Sequence, residues 1–190
     1  MFFLHRPTPK QAQAFLERQR QAAYSYAEVG QTRTALHPTG YAIDQHSTRL
    51  GTGDECFTLA RAALKTWKVF ETPWIRLTNP AAPFTEGETL VVQIAHLGFF
   101  SLVADRVVYV IDEPDCCGFA YGTLTGHAEQ GEERFLVSRS ASGEVTFGLS
   151  AFSRPRHPLA CLGQPVVRQL QRAAAQAYTA AMMSAVKEAK

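Results

Sequence analysis

The hydrophobic and polar positions of this chain follow a helical period in its first third and at its end, and a strand period between them. Thr8 and Pro9 mark a helix start, a hydroxyl N-cap followed by a proline in the first turn. An incomplete apolar face predicts that this helix runs to about Tyr24. The range 41–50 is typical of a strand, and a stripe at spacings of three and four over 57–67 predicts a second helix.

From Thr89 onward the period becomes two, with many β-branched and aromatic residues. Short connections rich in glycine, proline and serine separate the segments, so neighbouring strands should pair antiparallel. The pattern predicts a meander of about five strands, at 88–97, 99–112, 118–124, 133–139 and 144–154.

A long helical pattern follows, with Pro165 in its first turn and a length of roughly 24 residues, or about 36 Å. Its predicted inner stripe is Val166, Leu170, Ala174, Ala177, Ala181 and Ala185, flanked by Val167, Tyr178 and Met182, with Arg168, Arg172 and Lys187 on the solvent side. Strands followed by a helix that must bury one face are typical of an α+β fold. We expect one domain over 1–190, in which a curved antiparallel sheet grips the C-terminal helix around a cavity, with 1–30 as an N-terminal helical extension.

Composition narrows the class of protein. Hydrophobic residues make up 46% and charged residues 19% of the 190 positions, as in an ordinary globular protein. The net charge of +2 comes without a basic run, which argues against nucleic-acid binding. The N-terminal apolar stretch is too short for a secretory signal, and no stretch approaches the roughly 18 apolar residues of a membrane span. We therefore expect a cytoplasmic protein without a membrane span.

Four cysteines are present, Cys56, Cys116, Cys117 and Cys161, and no two have CxxC spacing. We expect reduced thiols, some of them buried as small hydrophobic residues. A redox role for the adjacent pair is the less favoured alternative. No cofactor is predicted.

The densest group of polar side chains comprises His127, Glu129, Glu132 and Glu133. A histidine titrates near neutral pH, and a nearby carboxylate would orient its ring and raise its pKa, as in general acid/base catalysis. Candidate catalytic residues are therefore His127, Glu129 and Glu132. The same nitrogen and oxygen atoms could hold a divalent metal. A solvated loop without chemistry is the simplest interpretation, and no metal site is predicted.

Tyr121 would bring an apolar ring and a hydroxyl to a pocket, or serve as a core tyrosine bonded to a backbone carbonyl. Arg154, held extended before Pro155, could clamp a carboxylate or phosphate, or form an ion pair with Glu113 or Glu133. The candidate ligand-binding residues are Tyr121, His127, Glu133, Arg154, Phe119 and Phe147. The expected apolar lining is Val92, Ile94, Val108, Val110, Phe119, Phe147 and Leu149.

Two stretches carry a resemblance to a known family: VYVIDEPDCCGFAYGTLTGHAEQGEERF at 108–135 and AFSRP at 151–155. They resemble the domain-of-unknown-function family nineteen-ninety, also called uncharacterised protein family five-four-eight, and 50–67 and 162–171 resemble it more weakly. The resemblance implies a small single-domain protein, as found in bacteria and plants, with the helix-grip fold of the START and Bet v 1-like superfamily. It implies no particular activity. Thr125 and Ala128 stand where the family commonly has proline, which implies a less rigid loop around His127.

The leading hypothesis is a protein that binds a small apolar or amphipathic ligand between the sheet and the C-terminal helix, as a monomer or homodimer. The first alternative is an enzyme on the same scaffold, of cyclase, hydrolase or isomerase type, using His127 with Glu129 or Glu132. The second is a non-catalytic interaction module that docks a partner through the loop at 79–83 or through the N-terminal helix.

Overall fold

The computed structural model describes residues 1–34, 38–96, 98–156 and 164–187. In this part of the chain eight strands form one antiparallel sheet that curls into a half-barrel. The strands are β1 (Phe2–Phe3), β2 (Ala42–Thr52), β3 (Ile75–Leu77), β4 (Thr89–His96), β5 (Phe99–Glu113), β6 (Cys116–Thr123), β7 (Glu129–Arg139) and β8 (Glu144–Pro155). Their order is β2-β8-β7-β6-β5-β4-β3, with β1 paired to β5.

The predicted meander is confirmed, because β4 to β8 are consecutive in the chain and adjacent in the sheet. The described residues also form three α-helices, α1 (Pro9–Gln19), α2 (Gly53–Lys65) and α3 (Gln164–Ala185). The sheet curls around α3, and the helix-grip fold inferred from the sequence is therefore correct.

Helix α1 starts as predicted but ends five residues earlier than Tyr24. Thr8 and Gln11 form a capping box, in which each side chain accepts a hydrogen bond from the backbone N–H of the other. Arg20 caps the other end through its N–H to the Leu16 carbonyl. The chain then leaves the helical path because Tyr24 pairs as an isolated bridge with Leu124 of the sheet, a long-range contact that local periodicity does not encode.

The main core lies on the concave face of the sheet, between the strands and helices α2 and α3. Aromatic rings dominate it: Phe119 on β6 stacks on Phe135 of β7 with centroids 4.8 Å apart, and Trp67, Phe70 and Tyr178 contact them from the helical side. Such ring pairs add to the hydrophobic stabilisation of burial. This packed region fills the end of the half-barrel near α2.

The convex face is covered by the first 34 residues. Phe15 and Leu16 of α1 pack against Val91, Leu102 and Leu124 in a second hydrophobic cluster. Both faces of the sheet are therefore covered here. Alternate residues of β4 and β5 point to opposite faces and belong to two different hydrophobic clusters.

The predicted inner stripe of α3 is correct in part, because Ala174 and Ala185 pack against the core, but the buried face is rotated toward the residues predicted to flank that stripe. The residues that are buried are Ala175, Tyr178, Met182 and, just beyond the helix, Val186, whereas Val166 is 45% exposed. Alanines occupy so many positions of this helix that several faces have similar hydrophobicity. The large side chains of Tyr178 and Met182 decide which face turns inward, because they bury the most apolar area.

Candidate functional site

A cavity of about 240 Å³ lies between the concave face of the sheet and the N-terminal half of α3. Its apolar walls include Val92, Ile94, Val103, Leu149, Val167, Leu170 and Ala174. Its polar residues include Asp44, Asp105, Tyr121, Thr123, His127, Glu129, Glu133, Ser153 and Gln171. The cavity is therefore amphipathic.

Strand register places the polar groups together. Asp105 of β5 stands opposite Thr123 of β6, and Tyr121, two residues earlier on β6, stands opposite Glu133 of β7. Since side chains alternate between the faces of a strand, all four project from the same, concave face. Ala104, next to Asp105, belongs to the hydrophobic cluster on the convex face.

Tyr121 and Glu133 form a hydrogen-bonded pair in the cavity. The Tyr121 hydroxyl donates to Oε2 of Glu133 over 2.6 Å. Burial raises the pKa of Glu133 to about 7, against the opposing effect of this hydrogen bond, and the charge of Asp44 adds to the rise. Burial and the Glu133 charge raise the pKa of Tyr121 well above its usual value. The Glu133 carboxyl can therefore gain or lose a proton near neutral pH.

Asp105 is a deeply buried carboxyl group that lines the cavity, with 3% of its surface exposed. No described residue forms a hydrogen bond with its Oδ1 atom. Burial raises the pKa of Asp105 to about 8, and the charge of Glu133 contributes to the rise. An unsatisfied buried carboxyl oxygen is rare in folded proteins and calls for an explanation in each case.

His127 lines the cavity, but its environment differs from the predicted one. Its Nδ1 accepts a hydrogen bond of 2.9 Å from the backbone N–H of Glu129, so the neutral ring carries its proton on Nε2. Burial lowers the pKa of His127 to about 4. The predicted rise was wrong because burial disfavours the charged form of the ring, and this effect outweighs the others.

The side chain of Glu129 reaches the same cavity. Gln171 of α3 donates a long hydrogen bond of 3.4 Å to its Oε2, and Oε1 finds no hydrogen-bond partner within the described ranges. Burial raises the pKa of Glu129 to about 7, and the charge of Arg168 opposes the rise. Glu129 is thus a second carboxyl group that can titrate near neutral pH.

Glu132 is not placed for acid/base chemistry in the cavity. Its carboxylate lies among residues of the N-terminal segment and accepts hydrogen bonds from the Tyr26 hydroxyl and the Gly30 N–H, both 2.7 Å, and from the N–H and hydroxyl of Thr32. It is 2% exposed. The solvated-loop interpretation is therefore wrong for this residue: Glu132 lies in β7 and anchors the segment that crosses the convex face.

Gly122 makes this anchor possible. A Cβ atom at Gly122 would lie 2.0 Å from the Tyr26 hydroxyl oxygen, so a larger residue would push Tyr26 away from Glu132. A glycine inside a strand often marks such a close approach of another chain segment.

Three predicted ligand-binding residues lie outside the cavity lining. Arg154 is exposed, and its guanidinium group lies over the ring of Tyr41 at 4.4 Å. Alternation explains this, because Ser153 faces the cavity and its neighbour must face away. Phe119 and Phe147 are fully buried in the packed core instead. The expected lining by Val92, Ile94 and Leu149 is correct, whereas Val108 and Val110 do not line the cavity.

Several residues of the site were not anticipated from the sequence. Arg168 of α3, expected in solvent, donates two hydrogen bonds of 2.5 and 2.6 Å to Asp44 of β2 and so fastens the helix across the cavity. Asp105 could have been found, because counting by two from Val103 and Val107 puts a carboxylate on an otherwise apolar face. The pairing of Arg168 with Asp44, 124 positions apart, has no local signal.

The alternatives of a metal centre and a redox pair find no support in the geometry. Among the described residues, no group of three histidine, cysteine, aspartate or glutamate side chains is placed to hold a metal ion. Cys116 and Cys117, as described here, form no disulfide, and burial raises the pKa of both thiols, which makes them less reactive. Cys161 lies outside the described residues. Within those residues, no helix combines the length and apolar character needed to cross a membrane.

Comparisons with known proteins agree with this architecture. Residues 25–181 match the model of the family described as Domain of unknown function (DUF1990). A protein of Deinococcus radiodurans described as "UPF0548 protein" is 40% identical over 97% of this chain and 98% of its own length. Among solved structures, Ara h 8.0201 has a TM-score of 0.52 at 16% identity, covering 78% of this chain and 99% of its own. A START superfamily protein from Mycobacterium smegmatis has a TM-score of 0.53 at 12% identity, covering 80% of this chain and all of its own.

At such low sequence identity, the solved structures support a conclusion about the fold alone. That fold is of the START and Bet v 1-like type. Nearly the whole chain aligns with its bacterial relative, and the family model covers β2 to β8 and most of α3. The protein is therefore a member of the DUF1990 family, also described as UPF0548.

Proposed function

We propose that this protein binds a small amphipathic molecule in the cavity between the sheet and α3. The observation that supports the proposal is the cavity itself, about 240 Å³ with apolar walls and a group of converging polar side chains. Ligand sites in proteins have this composition, mostly apolar with a few polar groups that fix orientation.

This cavity is partly open to solvent, yet its apolar walls depart from the close packing of the neighbouring core. Interiors are close-packed, and few voids exceed the size of a water molecule. The neighbouring core shows that this chain can pack tightly, since Phe119, Phe135 and Phe147 are fully buried in mutual contact. The empty space beside Leu149 and Ala174 is therefore not a general packing defect of this chain. A bound molecule would make the van der Waals contacts that the cavity walls lack.

Native mass spectrometry of the freshly purified protein, compared with its denatured mass, tests the proposal. We expect a stoichiometric excess mass that disappears on denaturation, and it would supply the formula of the ligand. A titration of the ligand-stripped protein with naphthylmethanol, a neutral apolar probe, completes the test. The proposal fails if there is neither an excess mass nor saturable binding of the probe.

An enzyme on the same scaffold is a second candidate, and the Tyr121–Glu133 pair favours it. A carboxyl group with a pKa of about 7 beside a hydroxyl donor can act as a general acid or base. This proposal takes the place of the predicted use of His127 with Glu129 or Glu132. With the ligand identified, Glu133→Gln should stop its conversion even at ligand concentrations that saturate the variant. A ligand mass that stays unchanged over time with the wild-type protein would leave binding alone as the function.

The third hypothesis, docking of a protein partner through the loop at 79–83, stays a prediction. That loop is tied to the core: the Asn79 side chain bonds the backbones of Thr89 and Val91, and the Trp67 Nε1–H donates to the Ala82 carbonyl over 2.7 Å.

The proposal further assigns the protein to the cytoplasm, as a monomer or homodimer. Cell fractionation followed by size-exclusion chromatography with light scattering tests both statements.

A further inference from the structure

Two carboxyl oxygens in the cavity are hydrogen-bond acceptors without a donor. Asp105 lines the cavity and is only 3% exposed to solvent. One of its carboxyl oxygens has no hydrogen-bond partner among the described residues. Glu129, at another point of the lining, also has an oxygen without a partner in that part of the chain. Burying such an oxygen costs free energy unless something satisfies it.

Glu133 and Asp105 line the same cavity from the two strands that flank β6. Asp105 faces Thr123 and Glu133 faces Tyr121, two residues away on the same face of β6. The charge of Glu133 also raises the pKa of Asp105. Two ionised carboxyl groups in one cavity repel each other, and a cation between them reduces that repulsion.

The protein itself supplies little positive charge to balance them. The guanidinium group of Arg168 is occupied by two hydrogen bonds to Asp44. Of the described residues that line the cavity, Arg172 alone is an arginine or lysine, and it is exposed to solvent. The polar side of the cavity is therefore acidic, while its opposite walls are apolar.

We propose that the ligand is an amphipathic amine, whose ammonium group is held by Asp105 and Glu133 and whose apolar part lies against Val103, Leu149 and Leu170. This inference rests on the proposed binding function and adds the chemical class of the ligand. The ammonium donates to the open oxygen of Asp105 and to Glu133, and its positive charge favours the ionised form of both carboxyl groups, which the empty cavity disfavours. Hydrogen bonds between charged partners are stronger than neutral ones. An anionic ligand would meet repulsion at the same place.

Three probes of matched shape test the inference: naphthylmethylamine, naphthylmethanol and naphthoate. They present a cation, a neutral hydroxyl and an anion on the same ring system. Isothermal titration of the ligand-stripped protein at neutral pH gives the three affinities. We expect the amine to bind at least about tenfold more tightly than the alcohol, and the naphthoate to bind more weakly than both.

Two variants that each remove one carboxyl group test whether Asp105 and Glu133 cause the preference for the amine. Asp105→Asn and Glu133→Gln preserve the side-chain shape, and each should bring the amine affinity close to that of the alcohol. The alcohol affinity should hold in both variants, which shows that the cavity is intact. Asp112→Asn is the matched control, because Asp112 lies outside the cavity and pairs with Arg61 and Lys65; it should leave the preference for the amine unchanged.

The outcomes separate the two proposals. Equal affinities for amine and alcohol, or tighter binding of naphthoate, would overturn the amine inference while the binding function stands. Saturable binding of none of the three probes would overturn the amine inference, and together with the absence of an excess mass on the purified protein it would overturn both.

Discussion

Glu132 and Glu133 are adjacent in β7, yet their carboxyl groups serve opposite faces of the sheet. Glu132 accepts hydrogen bonds from Tyr26, Gly30 and Thr32 of the N-terminal segment. Glu133 faces the cavity and holds the hydroxyl of Tyr121. Two neighbouring glutamates thus have different roles: Glu132 anchors the N-terminal segment, and Glu133 is part of the candidate site.

This difference predicts unequal effects of the same substitution. Glu132→Gln replaces an acceptor oxygen by an amide that faces the backbone donors of Gly30 and Thr32, so we expect the free energy of unfolding to fall by about 2 kcal/mol. Glu133→Gln removes a buried carboxyl group and should change it by less than about 0.5 kcal/mol. Urea denaturation of both variants measures the two values. Equal losses would contradict the assignment of roles.

Substitution of Gly122 should release the N-terminal segment. In Gly122→Ala the new Cβ would lie 2.0 Å from the Tyr26 hydroxyl oxygen, and we expect a loss of about 2 kcal/mol in the free energy of unfolding. Gly148→Ala is the control, because the nearest atoms to a Cβ there, the carbonyl oxygens of His46 and Leu136, are 3.8 and 3.9 Å away. A loss as large in the control as in Gly122→Ala would refute the steric argument.

Stability should fall as the pH rises through the range in which the cavity carboxyl groups ionise. Asp105 has its pKa raised to about 8 in the folded protein, so its contribution to stability is full below its unfolded pKa and is lost as the pH rises through about 8. Glu133, Tyr121 and Tyr178 face the same region. His127 acts in the opposite direction, but its pKa of about 4 and its ordinary value near 6.5 confine that effect to lower pH.

The informative window is therefore about pH 6.5 to 8. Denaturation across this window should show a falling free energy of unfolding, to which Glu129 and Glu133, with pKa values of about 7, also contribute. Asp105→Asn should flatten the upper part of the curve. A curve that rises with pH, or one that Asp105→Asn leaves unchanged, would show that Asp105 is not held protonated in the fold.

Much of the architecture could be predicted because local patterns encode it. Alternation from Thr89 onward gave the meander, and Pro165 lies in the first turn of the last helix. These features depend on neighbours two to four positions away, which a sequence displays directly. Tyr121 lines the cavity, which is one of the two positions that the sequence left open.

The rest depended on contacts between distant parts of the chain. Glu132 turned away from the cavity because Tyr26 and Thr32, about a hundred positions earlier, supply its donors. Arg168 turned inward because Asp44 lies across the cavity. A charge next to a loop looks the same in the sequence whether it is solvated, paired or open to a ligand, and only the fold decides among these.

The central claim is that the cavity binds a small molecule. The most direct test is to fill the cavity with a large side chain. Ala174 of α3 lines the cavity, whereas Ala180 of the same helix is exposed, so Ala174→Phe and Ala180→Phe place the same ring inside and outside the site. Titration of both variants with naphthylmethylamine, with folding checked by circular dichroism, should show binding lost in Ala174→Phe and kept at wild-type affinity in Ala180→Phe. Binding of wild-type strength in a folded Ala174→Phe variant would contradict the account.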